Sequence, residues 1–289
     1  MNLVQDGSVV NTGRRARNRA ARHKQLIGAA GSILAEEGLG SLTMQAVADR
    51  VDCAVGTIYT YFNSKSALLA ALQSEAIRVL TDSYDSAAES WDRFLDHDDM
   101  DPQVAALSRI LGLGRLFLSW PELHPREFDF LQMLLVSREE TITIDDAMPV
   151  VPQALMLLAE GRVLIDAAVD CGALRLNPDL PGDDSLSRTL RWAGGLDGAV
   201  LVSAAGELAY DIDPGTFDRS EIGVRLTIDL LSAWGARADD LHVAMDVVDR
   251  MDAEGVLVPR PTPPEPAETP ERPDESDARH PRHVEGTPR

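Results

Sequence analysis

Apolar side chains recur at three-to-four spacing along most of the chain, which predicts a succession of helices. Leu26, Ile27, Ala30, Ile33 and Leu34 form the inner stripe of a first helix over residues 18–37, and Gly38 is its stop signal. Thr43 is placed to cap a second helix, whose Val47, Ala48 and Val51 share one face. Val55, Ile58 and Phe62 give the third a matching face. Ser64 then caps a fourth, running through Leu68, Leu69, Leu72 and Ile77 toward Leu80 as a rod between head and body. The second and third are short, joined by a tight turn, and two tyrosines are left pointing outward. That is a helix-turn-helix, in which one helix braces across the DNA backbone and the other enters the major groove. The pattern points to a DNA-binding regulator.

The remaining pattern predicts a larger helical body. Val104, Leu107, Ile110, Leu111 and Phe117 lie on one helix, and Phe128, Leu131, Leu134 and Leu135 on another, with Pro125 near its start, where proline is tolerated. Leu155, Leu158, Val163 and Ile165 belong to a third. The alternating Thr141, Ile142, Thr143 and Ile144 look strand-like but have no partner strand nearby, so the run is read as a loop. Helices are expected over 185–206 and 219–234, separated by a turn-rich stretch from Asp211 to Gly215, and over 238–253. Gly194, Gly195, Gly198 and Ala199 permit close approach of another helix and mark a packing seam. Nine of the 17 prolines fall in the last 35 residues, among charges and few large apolar groups, so residues 255–289 are expected to be disordered.

Charge sharpens this division. The formal net charge is −20. Yet residues 1–80 carry nine Lys/Arg against six Asp/Glu, and the rest eighteen against forty-one. No acidic residue lies from Gly7 to Ala35, where Arg14, Arg15, Arg17, Arg19, Arg22 and Lys24 cluster. A basic head on an acidic body turns the head toward phosphate while the body resists nonspecific binding. The first seventeen residues are read as a flexible basic arm. No secretory signal or bilayer-length apolar run is present, which predicts a cytoplasmic protein with no membrane partner. Cys53 reads as a small packing group rather than a redox switch, and the two cysteines suggest no disulfide framework. His280 and His283 are a weak metal pair in a solvated tail, so no metal and no cofactor is expected.

The residues from Thr43 to Leu69 resemble the TetR family of bacterial repressors. The resemblance rests on Thr43, Val47-Ala48, Gly56-Thr57-Ile58-Tyr59-Thr60-Tyr61-Phe62, Ser64-Lys65 and Leu68-Leu69, all in register. It covers about the first eighty residues. The family's usual Gly-Val-Ser turn is Asp52-Cys53-Ala54 here. Asp52 tolerates the left-handed conformation and is also placed to cap the third helix, whereas Ala54 has no capping side chain. Ser66 stands where an acidic residue commonly follows the lysine. The resemblance implies that Thr43, Val55, Gly56, Thr57 and Thr60 lie against DNA, with Tyr59, Tyr61 and Lys65 on phosphates. Tyr61 and Lys65 are expected to be the more exposed contacts.

The expected architecture is therefore all-α. Residues 18–64 form an N-terminal three-helix helix-turn-helix head, and residues 65–254 a larger ligand-binding and dimerisation domain. The resemblance implies a homodimer formed through the last pair of long helices, bound to a palindromic operator in double-stranded DNA and released by a small-molecule effector of unknown identity. Phe117, Trp120, Phe128, Phe130, Met133, Met156 and Trp192 are available to line a pocket, though core packing accounts for them equally. An alternative is control by a protein partner. No Gly-rich phosphate loop, metal-spaced His/Cys cluster or nucleophile motif supports an enzyme.

Overall fold

The computed structural model describes residues 7–97, 100–136, 142–206 and 214–258. Among these all regular structure is helical. The order is α1 (Gly7–Glu37), α2 (Met44–Arg50), α3 (Val55–Tyr59), α4 (Lys65–His97), α5 (Pro102–Leu123), α6 (Pro125–Val136), α7 (Ile144–Ala147), α8 (Val151–Asp170) and α9 (Ser185–Gly206). A 3-10 turn at Pro214–Phe217 leads to α10 (Arg219–Ala233) and α11 (Ala238–Ala253). No helix among the described residues is long and apolar enough to cross a membrane.

Two cores organise these helices. The smaller gathers Leu26, Ala30 and Ile33 of α1 with Val47, Ala48, Ile58, Phe62 and the first turns of α4. The larger contains Leu80, Tyr84, Trp91 and Leu95 of α4, with α5 packed between α10 and α11. Helix α4 belongs to both. It reaches His97, well past Leu80, because Tyr84, Ala87, Trp91 and Leu95 continue its buried stripe at three-to-four spacing.

Several expectations require correction. Helix α1 begins at Gly7 rather than residue 18, so residues 7–17 of the expected arm are helical. A basic run without proline or glycine breaks continues a helix already stabilised downstream. Within the supposed loop, Thr143 caps the one-turn α7 by accepting from the Asp146 amide at 3.2 Å. In α8 the buried side is Leu164, Ile165 and Ala168, while Leu155 and Val163 are exposed. The body extends beyond residue 254. Gly255, at φ 70°, closes α11, the Val256 amide donates to the Met251 carbonyl, and Leu257 is buried with its carbonyl accepting from the Trp91 indole. Expectations for residues 1–6, for 259–289 including His280 and His283, for Thr141, and for the side chains of Met133, Leu134 and Leu135 lie outside the described residues. So does most of the turn at residues 211–215.

The glycines of α9 divide. A Cβ on Gly195 would stand 2.3 Å from Leu226 of α10, so its close approach serves packing within the subunit. Gly194 and Gly198 face open space.

One buried ion pair fixes the start of α9. Arg188, 2% exposed, donates from Nε and Nη2 to Asp183, each at 2.7 Å, and from Nη2 to the Arg175 carbonyl. Its guanidinium also lies 5.1 Å from the Trp234 ring centre. The Arg188 bonds, then the Asn177 amide, push the Asp183 pKa down to about 2 from 3.8. Stability from this pair is fully present above the ordinary aspartate pKa and is lost as pH falls toward about 2. Asp183→Asn strands a buried guanidinium and is expected to cost about 3–5 kcal/mol. Urea unfolding from pH 7 downward should show a lower midpoint for the variant at neutral pH and a flatter acid dependence.

Candidate nucleic-acid interface

The head is assembled so that one side of α3 has no choice but to face outward. Ile58 is fully buried and Phe62 nearly so, against Leu26, Val47, Leu68 and Leu69. Gly56, Tyr59 and Thr60, related by three and four residues, fall on the side away from Ile58 and are exposed. The turn before α3 works through Asp52, which adopts φ 50°, the left-handed region that an aspartate tolerates. Asp52 does not cap α3. The capping position is Ala54, with no side-chain bond, and the Thr57 amide donates to the Ala54 carbonyl at 2.8 Å. Thr43 caps α2 by accepting from the Ala46 amide at 3.0 Å, and Ser64 caps α4 by accepting from Ala67 at 2.9 Å.

The eight expected contact residues fall into two groups. Thr43, Gly56, Tyr59 and Thr60 are exposed, while Val55, Thr57, Tyr61 and Lys65 are half-buried. The expected ranking of the tyrosines is reversed. Tyr59 is 53% exposed, whereas Tyr61 packs beside His23, with the Arg19 guanidinium 5.1 Å over its ring. Lys65 is also engaged within the head, its Nζ donating to the Leu39 carbonyl at 3.1 Å. This bond ties the loop after α1 to the start of α4. Arg50 braces the same end of α1 through Glu36 at 3.0 Å and Glu37 at 2.9 Å. Thr60 donates its hydroxyl to the Thr57 carbonyl at 2.7 Å and so presents lone pairs outward. Gly56 has nothing within 4 Å of where a Cβ would stand. No internal packing therefore requires glycine there, and the bare backbone is open to an external partner.

The match to known proteins bears on this region first. Residues 26–72 match the family model for bacterial regulatory proteins, tetR family. The head belongs to the TetR family. A 59-residue stretch is 46% identical to the HTH-type transcriptional repressor KstR of Mycobacterium tuberculosis (strain ATCC 25618 / H37Rv), covering 20% of this chain and 27% of that one. The matched stretch thus spans about a quarter of that repressor's length. The fold of the whole is that of TetR regulators. A TetR transcription regulator from Haloarcula marismortui superposes with a TM-score of 0.52 at 17% identity, covering 74% of this chain and 98% of that one. The fatty acid degradation regulator FadR from Bacillus halodurans gives 0.50 at 19%, covering 74% and 97%.

Two parts of this TetR-type arrangement escaped the sequence reading. Arg19 and His23 reach α3 from α1, and the charge run with one helical turn between those residues was the available signal. The second is a contact between α7 and the first turn of α4. The Ser64 hydroxyl donates to Asp146 at 3.3 Å, Thr143 donates to Asp146 at 2.9 Å, and the Thr143 amide donates to Ser66 Oγ at 2.8 Å. Hydrogen bonds from Ser66 and Thr143, then Ser64, hold the Asp146 carboxyl below its usual range. The Thr-x-x-Asp spacing is a capping pattern visible in the chain, but nothing local shows what it docks against.

A methyl group on Gly56 should separate folding from binding. Gly56→Ala is expected to leave the melting temperature unchanged or raise stability by about 0.5–1 kcal/mol, as alanine does in a helix. Binding to duplex DNA, followed by fluorescence anisotropy, should weaken several-fold. An unchanged affinity would remove Gly56 from the interface.

Proposed function

We propose that this chain is a transcriptional repressor that binds a palindromic operator as a homodimer and is released by a small-molecule effector. The observation that carries the reading is the outward side of α3, bare at Gly56 and flanked by Tyr59 and Thr60, on a helix whose opposite side is fully buried. Such a helix offers hydroxyls and a close backbone to the groove. Likeness to KstR, a repressor, supports the direction of control. Thr43, Val55, Gly56, Thr57, Tyr59, Thr60 and Tyr61 are assigned to DNA contact. Lys65, held on the Leu39 carbonyl, adds positive charge beside a phosphate while fixing the α4 start.

Dimerisation is assigned to α9, neighboured by α8. Leu186, Leu190 and Leu201 are each at least half exposed, and with Gly194 they form one stripe along α9. Leu155 and Val163 of α8 are exposed as well, and the two helices pack together. An apolar stripe of this length in water favours a partner surface, and a second copy is self-complementary. Light scattering at micromolar concentration should show a dimer, and Leu190→Glu with Leu201→Glu should leave a folded monomer. A wild-type monomer that binds operator at full affinity would end this assignment.

The effector half rests on the body. Gln73 of α4 is 1% exposed, and neither its amide oxygen nor its nitrogen has a hydrogen-bond partner among the described residues. The Trp120 indole N–H of α5 is likewise buried without one. Leaving such a group unpaired costs about 1–3 kcal/mol, so a polar partner that enters the core gains that much. An open cleft of about 1190 Å³ lies beside it, lined by Ile27, Gly31, Ala71, Arg78, Phe130 and Val150. Gln73→Leu is expected to raise the melting temperature and to abolish effector release while leaving operator affinity intact. The operator is obtained by selection from randomised duplexes, and the effector by thermal-shift screening. A coupling of about 1–3 kcal/mol predicts roughly five- to 150-fold weaker DNA binding, with the same factor in reverse. Equal effector affinity with and without operator would shift control to a protein partner on the apolar stripe.

A further inference from the structure

The first turns of α1 carry a charged surface that the packing of the head does not use. From Arg14 to Ala21 every side chain is exposed, and the first fully buried residue of the helix is Leu26. Arg14, Arg15, Arg17, Arg19 and Arg22 stand on these turns, and none forms an ion pair with an acidic group among the described residues. No Asp or Glu occurs on α1 before Glu36. Arg15, Arg19 and Arg22 follow one another by four and three residues and form one strip, while Arg14 and Arg17 form a second beside it. The first strip is continuous with the α3 side of the head, because Arg19 lies over Tyr61 and donates to the Thr60 carbonyl at 3.5 Å.

We propose that this helical extension is a second DNA-contacting surface, which follows the phosphate backbone outside the base pairs read by α3. The inference rests on the DNA-binding reading above and adds to it a partner surface of its own: duplex phosphates flanking the half-site. Charge complementarity selects the occupant. Five guanidiniums without internal partners on about 12 Å of helix meet a polyanion with one charge for roughly every 1.7 Å of duplex axis. Guanidinium forks match phosphate oxygens, and the absence of carboxylates on these turns removes repulsion from the same polyanion. Contacts of this kind carry no sequence information, so the extension sets affinity and register while α3 sets the sequence.

The test uses the full chain and the triple variant Arg14→Gln, Arg15→Gln, Arg17→Gln, in which glutamine keeps helix propensity. Two probes are compared: a duplex trimmed to the motif enriched by selection, and one extended by about one helical turn, ~10 bp, on each side. On the extended duplex the variant should lose roughly ten-fold in affinity and about two units of salt slope, near 0.9 for each phosphate released. On the trimmed duplex the two proteins should bind alike, and selection with the variant should return the same motif. Equal affinity and slope on the extended duplex would overturn the proposal. So would an equal loss on both duplexes, which would place the arginines inside the half-site. A changed oligomeric state with an unchanged slope would assign the surface to an acidic protein face and also overturn it. Should selection enrich no motif, the operator reading fails by itself, and the arginine surface is judged by the same slope on random-sequence duplex.

Discussion

Helix α4 is one unbroken rod of 33 residues, about 50 Å long, and its two ends are buried in different cores. Leu68, Leu69 and Leu72 are part of the head core, and Leu80, Tyr84, Trp91 and Leu95 part of the body core. A continuous helix transmits rotation and tilt because its backbone hydrogen bonds leave no soft joint between the ends. Neither core can move without the other meeting the displacement. Lys65, at the near end, also holds the loop after α1 through the Leu39 carbonyl, so the orientation of α1 is tied to the same rod.

A second tie runs beside the first. The α7 turn reaches the first turn of α4 through Asp146, Thr143, Ser64 and Ser66, within a few residues of the end of α3. These bonds are exposed or half-buried, so each is individually weak, and the set serves better to fix a position than to hold the domains together. The rod supplies displacement and the α7 contact supplies a reference near the DNA-facing end. A shift at the body end of α4 must then either carry α7 along or break its bonds.

The head was legible in the sequence because its signals are local. The caps at Thr43 and Ser64, the left-handed Asp52 and the buried Ile58 and Phe62 all follow from residues within one or two turns. The exposure of Tyr59 over Tyr61 was not legible. It depends on Arg19 and His23, forty residues away, covering one tyrosine and leaving the other. The same holds in α8, where the apolar pattern surrounds much of the helix and periodicity cannot choose the side to bury. Packing against α9 chooses Leu164, Ile165 and Ala168, and leaves Leu155 and Val163 outside. The glycines of α9 make the point at single-residue scale: three look interchangeable in sequence, but only Gly195 meets Leu226.

The charge distribution gains a mechanical meaning from the length of α1. A flexible basic arm would gain phosphate contacts at the cost of ordering each residue, about 1–2 kcal/mol for the backbone alone. A preformed helix has met that cost through the packing of its downstream turns from Leu26 to Ile33. Its arginines then differ in binding from those of an arm by preorganisation rather than by charge. The acidic body works against this only at long range, since fields beyond about 10 Å are screened at ordinary ionic strength. Within that distance the exposed turns of α1 carry cations alone, and the head approaches DNA as a basic surface despite the net charge of −20.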